Sequence, residues 1–256
     1  MIKPVLRYPG AKWKLSEWIC SNLPPHDVYL EPFFGSGAVF FGKEPVRTET
    51  INDIDGNVVN LFRVIRERTH ELCDAVALTP WARDEYVLPH NEAADDVERA
   101  RVFLVRCWQA FGSQVRGASG WRNRTTGKSP KEPDVWRRLP ERIVIAAERL
   151  LEAQIENMEA IKLIERYNAP NCLIYADPPY MPDTRGKYIY TYECDDDYHM
   201  RLLDVLERHR GSVLISGYDS PLYNERLSHW QRIEKEARAE KGALRREVLW
   251  IKEVVS

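Results

Sequence analysis

The sequence predicts an α/β fold: a doubly wound, mainly parallel sheet carrying an inserted, mainly helical subdomain. Three observations lead there. The 256 residues suit one large α/β domain, or one domain with a smaller insertion. Both ends of the chain alternate short apolar runs with helical periodicity, the order of a β–loop–α–β unit. The middle breaks that alternation with a long stretch rich in Gly, Ser, Thr and Arg. A composition of 44% hydrophobic and 30% charged residues supports a sizeable core and excludes global disorder.

The elements follow in order. Val28-Tyr29-Leu30 is a short buried strand running into Glu31-Pro32-Phe33-Phe34-Gly35-Ser36-Gly37, with a helix expected from near Ala38. Thr50-Ile51-Asn52 is a second strand ending at Asp53. Val58, Leu61, Phe62 and Ile65 then share one face of a helix over 57–68. Val97, Leu104, Trp108 and Phe111 fall at helical spacing, and helical patterning resumes at Glu141 with Ile143, Ala147 and Leu150. Between them lies a loop over 112–133, of a length that is usually functional or disordered. Residues 71–150 are therefore expected to form the insertion, and 1–70 with 151–256 the main domain. Cys172 to Ala176 is a strand ending in Asp177-Pro178-Pro179-Tyr180. An amphipathic helix over 196–209 and strands at Ser212–Ser216 and Glu247–Ile251 complete the pattern. The mixed charge run from Glu234 to Glu247 reads as a solvated face.

Charge and cysteines narrow the classes. Net charge is −2, which by itself points to no nucleic-acid partner. Its distribution differs: Arg116, Arg122, Arg124, Lys128, Lys131, Arg137 and Arg138 cluster over 112–138 against only Glu132 and Asp134. Such a stretch suits a phosphate backbone or a solvated loop. Five scattered cysteines without a CxxC pair argue against a disulfide framework or zinc ribbon, and six histidines show no HxxxH or HxH spacing, so no metal site is expected. No uncharged apolar run approaches the ~18–20 residues of a membrane helix, and the start of the chain lacks a signal-peptide core. A reducing, cytoplasmic setting is expected.

Two motifs lie at strand ends, where open α/β sheets collect their chemistry. Gly35 and Gly37 let the backbone approach a ligand, or simply make a tight turn. Val39 and Phe40 follow where a dinucleotide fingerprint needs its third glycine, so a pyrophosphate is a poor ligand. Glu31 would repel phosphate but suits an ammonium group. Asp53, at the next strand end, is placed to accept ribose hydroxyls. Asp53 or Asp55 could equally cap the following helix. In Asp177-Pro178-Pro179-Tyr180 the prolines stiffen the backbone and leave carbonyls free. A carboxylate, a carbonyl and an aromatic ring at one rigid corner suit a planar base with an exocyclic amine. A turn capping the strand is the simpler alternative.

Together, Arg7-Tyr8-Pro9-Gly10-Ala11-Lys12, Glu31 to Gly37, Asn52-Asp53-Ile54-Asp55 and Asp177 to Tyr180 resemble the Dam-type, α-class DNA adenine-N6 methyltransferases. The order of motifs matches across about residues 5–251. The resemblance implies a Rossmann-like S-adenosylmethionine-dependent methyltransferase sheet with an inserted target-recognition subdomain. Tyr8, Gly10 and Lys12, the loop residues Glu31, Pro32, Phe33, Gly35, Ser36 and Gly37, and also Asp53 and Asp177, would bind S-adenosyl-L-methionine. Asp177, Pro178, Pro179 and Tyr180 would act on a flipped adenine in double-stranded DNA. Arg7, Arg116, Arg122, Arg124, Lys128, Lys131, Arg137 and Arg138 would contact DNA. The resemblance also admits a cognate restriction endonuclease as partner, a bacterial or phage origin, and a monomer or weak dimer.

The sequence departs from the family in Tyr8, where the pattern has Trp, and in Ala11, where it has Gly. Trp121 to Gly127 does not match the recognition hairpin of GATC enzymes, so no target sequence follows. The alternatives are an N-methyltransferase on RNA, protein glutamine or cytosine N4, where Asn or Ser precedes the Pro-Pro pair, and a catalytically silent DNA-binding relative.

Overall fold

Val, Ile, Leu and Tyr runs form the central strands because both faces of a parallel sheet are covered. The computed structural model describes residues 2–88, 95–111, 120–123, 132–181, 191–238 and 244–254. Helix α1 (Ser16–Cys20) precedes β1 (Val28–Glu31) and β2 (Thr48–Asn52). Helices α2 (Gly56–Glu67), α3 (Thr69–Ala77), α4 (Arg83–Tyr86), α5 (Asp96–Gln109), α6 (Glu132–Arg137) and α7 (Leu139–Leu150) follow. Then come β3 (Gln154–Glu156), α8 (Ala160–Arg166), β4 (Cys172–Ala176), α9 (Asp196–Arg208), β5 (Val213–Tyr218), α10 (Pro221–Arg226), β6 (Gln231–Arg238) and β7 (Leu244–Lys252).

The described strands form one sheet in the order β3-β2-β1-β4-β5-β7-β6. Strands β1 to β5 pair in parallel, and β7 runs antiparallel to β5 and β6. The chain steps outward from β1 to β3, then returns to lay β4 on the other side of β1. Leu30 thus pairs with Thr50 on one side and Ile174 on the other. The crevice between β1 and β4 is a topological switch point, where doubly wound sheets bind ligands.

Helices cover both faces. On one, Ile19, Val58, Leu61, Leu72, Phe103, Leu104 and Ile143 share a core with Tyr29, Ile51 and Tyr175. On the other, Leu163, Leu202, Leu206 and Tyr223 pack on Ile174, Ile215 and Trp250. Fully burying such a side chain contributes about 1.5–3 kcal/mol. Helix α2 forms where its apolar stripe predicts, with the Asn57 N–H donating to Asp55 Oδ1 as its cap. Helices α3, α5 and α7, from the expected insertion, pack on α2 and on one another. Trp108 Nε1 also donates to the Val5 carbonyl at 2.8 Å. No helix among the described residues is long and apolar enough to cross a membrane.

Three sequence expectations need correction. No regular helix starts at Ala38; residues 38–42 form successive turns. The Phe41 N–H donates to the Gly37 carbonyl and the Gly42 and Lys43 N–H groups to the Val39 carbonyl, so turn-type bonds form without extending into a regular helix, and Cys20 Sγ and Arg149 add side-chain bonds to the Val39 and Phe40 carbonyls. Phe111 lies beyond α5 and is 68% exposed, because the helix ends at Gln109. The charge run from Glu234 belongs to the β6–β7 hairpin, and Glu247 is buried.

Away from the crevice, Glu49 in β2 sits between two cations. Lys43 Nζ donates to Oε1 at 2.6 Å, and Arg149 donates to both carboxylate oxygens at 2.5 and 2.8 Å. Burial alone would raise the Glu49 carboxyl, yet the Arg149 and Lys43 hydrogen bonds hold it below its usual range. Glu49→Ala strands two buried cations and is expected to lower stability by about 3–5 kcal/mol, read as a shift in urea midpoint.

Candidate active site

The loop after β1 owes its path to two residues with left-handed backbone. Gly35 has φ of 49° and Gly37 of 67°. A Cβ on Gly37 would lie 2.4 Å from Phe34 Cζ and 2.8 Å from Phe41 Cε2. A Cβ on Gly35 would come within 3.3 Å of Tyr8 Cδ1. The Phe34 N–H donates to the Asn52 carbonyl at 2.8 Å, which ties the loop to β2. The Gly35 N–H donates to Asp53 Oδ2 at 2.8 Å, and the Asp55 N–H to Asp53 Oδ1 at 2.9 Å. Asp55, not Asp53, therefore caps α2, and Asp53 braces the glycine loop.

The cleft at this end of the sheet brings together most of the expected cofactor residues. Tyr8, Gly10, Lys12, Glu31, Pro32, Phe33, Gly35, Ser36, Asp53, Asp177 and Pro179 all line it. Gly37, Pro178 and Tyr180 do not; Pro178 and Tyr180 are buried beneath it. Two acids on the cleft wall are held away from their usual ionisation. Burial pushes the Glu31 carboxyl up to about 8, against the opposing hydrogen bond that Tyr29 Oη donates at 2.7 Å. Burial likewise pushes Asp53 up to about 7, against the backbone N–H groups of Asp55 and Gly35.

Lys12 connects the N-terminal motif to the far side of the sheet. Its ammonium donates to Asp177 Oδ1 at 2.9 Å and to the Gly10 carbonyl at 2.8 Å. The same nitrogen lies 3.7 Å from Glu247 Oε1 and 4.6 Å from the Tyr180 ring centroid. Asp177 Oδ1 also accepts from Ser216 Oγ at 2.8 Å. Tyr175 Oη lies 3.1 Å from Ser216 Oγ, and because that serine hydrogen goes to Asp177, the tyrosine is the donor. Tyr180 is 7% exposed and packs edge-on with Tyr218 at 4.6 Å between centroids. Its hydroxyl donates to Glu247 Oε1. A base stacking on this ring must displace Lys12 or Tyr218.

Sequence reasoning missed several of these residues. Ser216 stands near the carboxyl end of β5, so the strand-end rule could have found it. Tyr175 was taken with the apolar strand, Tyr198 with an apolar helix face, and Glu247 with a solvated run. Tyr198 lines the cleft and donates to Glu159 Oε1 at 2.9 Å. Glu159 also caps α8, accepting from the Ile161 and Lys162 N–H groups.

The expected DNA contacts separate into groups. The Arg7 guanidinium stacks over Trp108 at 4.9 Å from the ring centroid. Arg122 Nε donates to the Ala110 carbonyl at 3.2 Å, and Nη1 lies 3.8 Å from Glu132. Arg137 and Arg138 are exposed. Arg116, Arg124, Lys128 and Lys131 lie outside the described residues. The stem that bears part of this basic stretch is fixed: Ala110 pairs with Trp121, and Trp121 Nε1 donates to Gln109 Oε1 at 2.9 Å.

A doubly wound sheet with an acid-lined cleft at its switch point and an Asp-Pro-Pro-Tyr corner defines a base-directed methyltransferase. Residues 8–240 match the family described as D12 class N6 adenine-specific DNA methyltransferase, and the chain belongs to that family. It is an enzyme of DNA adenine methylation, as its motif order implies. The chain is 26% identical to the DNA adenine methylase of Serratia marcescens, over 88% of this chain and 86% of that protein. It is 25% identical to that of Escherichia coli (strain K12), over 86% and 82%. The Type II methyltransferase M1.LlaDCHI of Lactococcus lactis subsp. cremoris is 26% identical, over 94% and 90%.

Gly37→Ala combines a left-handed backbone with the Phe34 clash and is expected to cost about 2–4 kcal/mol in urea unfolding. Gly120, where an added Cβ meets nothing within 4 Å, provides the control. Gly120→Ala is expected to stay within about 0.5 kcal/mol.

Proposed function

We propose that this enzyme transfers the methyl group of S-adenosylmethionine to N6 of an adenine rotated out of duplex DNA, with Asp177 as the acceptor of the target amine. The observation that carries this reading is the Asp177 carboxylate at the end of β4. One of its oxygens is pinned by Ser216, and its side chain remains 18% exposed at the cleft. Pinning one oxygen fixes the direction of the other, which orients an incoming N–H.

The donor set fits S-adenosylmethionine. Glu31 is a buried carboxylate on the cleft wall, suited to an ammonium group. Asp53 keeps lone pairs beyond those used by Gly35 and Asp55, suited to ribose hydroxyls. The glycine loop leaves the space that a Cβ would fill. When bound, the cofactor supplies a methyl group made electrophilic by a sulfonium.

The adenine amine is a weak nucleophile because its lone pair is delocalised into the ring. Asp177 and the Pro178 carbonyl accept its two hydrogens and favour the tetrahedral nitrogen as charge develops. Extracting the base costs a few kcal/mol, and contact with Tyr180 offsets about 1–3 kcal/mol of that. Arg137 and Arg138 lie in the basic stretch and are exposed, which suits phosphate contact.

The test is methyl transfer from labelled cofactor to unmethylated plasmid DNA, followed by sequencing that detects N6-methyladenine. Asp177→Asn is expected to lower kcat by about 10²–10³-fold or more. An unchanged rate overturns the role of Asp177.

Cofactor affinity should also depend on pH. An ammonium binds the ionised form of Glu31, whose carboxyl sits at about 8. Below that value binding must release a proton, so affinity is expected to rise by up to about tenfold per pH unit and level off above it. Titration calorimetry from pH 6 to 9 reads this slope, and Glu31→Gln is expected to flatten it.

A further inference from the structure

The Lys12 ammonium sits where the reaction needs a different nitrogen. It donates to Asp177 at 2.9 Å and lies 4.6 Å from the centre of the Tyr180 ring. Those are the carboxylate and the ring that methyl transfer requires for the target amine and its base. Lys12 is only 6% exposed, so this is a seated side chain and not one sampling solvent. While it stays there, that ring face and part of that carboxylate are taken.

A second carboxylate waits beside it. Glu247 Oε1 is 3.7 Å from the same nitrogen and accepts from the Tyr180 hydroxyl. Glu247 reaches the site from β7, where its backbone pairs with Tyr218 of β5. Val248, Leu249 and Trp250 follow it into the core. An acid at the start of such a run is costly unless it has a cation to hold.

We propose that Lys12 is a placeholder for the target amine, and that Glu247 is the positioning residue that takes over its ammonium when adenine enters. The inference rests on the adenine reading of Asp177 and Tyr180. Moving Nζ toward Glu247 keeps the cation on a carboxylate throughout, so no buried charge is left alone. The same movement uncovers the ring face and the Asp177 oxygen together. Tyr180 stays in place during the exchange, held by Glu247 at its hydroxyl and Tyr218 at its ring.

Glu247→Gln keeps an acceptor for the Tyr180 hydroxyl and removes the charge that receives Lys12. In the full chain, with plasmid DNA and labelled cofactor, the KM for DNA is expected to rise about tenfold, because the fraction of enzyme open to the base falls. The dissociation constant for the cofactor is expected to hold within about twofold, which also shows that the variant is folded. Lys12→Met removes the competitor, so Lys12→Met with Glu247→Gln should match Lys12→Met alone in KM for DNA. A wild-type KM in Glu247→Gln, or full additivity in the double variant, overturns the proposal. The ammonium ¹H–¹⁵N resonance of Lys12 in the wild type, assigned by its loss in Lys12→Met, is independent of how Glu247→Gln folds. It is expected to shift when duplex DNA is added to the cofactor-saturated enzyme, and an unmoved signal overturns the handover. Wild type that methylates no adenine, or Asp177→Asn at full rate, would instead defeat the underlying reading of the site.

Discussion

The site depends on a single buried cation shared between acids. Lys12 comes from the first turn of the chain, Asp177 from the end of β4 and Glu247 from β7. Ser216 of β5 joins through Asp177, and Tyr180 through Glu247. A unit-charge contact of this kind is worth on the order of 4 kcal/mol at the effective dielectric of a protein site. Without the ammonium, Asp177 and Glu247 would be left with no cation between them. Burial raises Glu247, and Lys12 is what opposes it. The cation thus closes the N-terminal motif onto the sheet.

Sheet order makes this meeting possible. Because the chain lays β2 and β3 on one side of β1 and β4 on the other, Glu31 and Asp177 end adjacent strands although far apart in sequence. Asp53 ends the strand on the other flank of β1. Three acids therefore stand along one rim, each placed by a strand and not by a flexible loop. The cost of burying them shows in Glu31 and Asp53, both held well above the ordinary carboxylate range. Cationic and hydroxyl-bearing groups of a ligand would relieve it, and a phosphate would not.

Much of this was legible in the sequence. Strands β1 and β4 announce themselves by apolar runs ending in acids, and the loop glycines and the Pro-Pro pair mark the ligand side. Where the reading failed, the cause was local resemblance. Glu247 follows two arginines, and nothing within a few residues separates it from the exposed Glu234. Only the pairing of β7 with β5 puts it beside Lys12 and Tyr180. Strand β6 carries alternating charges because it is a sheet edge, where lysine and glutamate discourage further pairing. The expected helix after Gly37 shrinks to a few turns whose carbonyls also take bonds from Cys20 and Arg149, which no periodicity reports.

The arginines around Trp108 and Trp121 obey a different logic. Arg7 and Arg142 both lie over Trp108, at 4.9 and 5.7 Å, and Arg142 donates to the Pro4 carbonyl. Trp81 Nε1 donates to the Arg122 carbonyl, and Arg122 reaches back to Ala110. These arginines spend part of their donor capacity fixing the stem around Ala110 and Arg122, and the N-terminal motif, in place. The consequence is mechanical. The segment that ends in Lys12 at the cleft begins at Arg7 against α5, and α5 leads into the paired stem at Ala110 and Trp121. A rigid connection of packed rings and backbone bonds therefore runs from the foot of the basic stretch to the cation on Asp177.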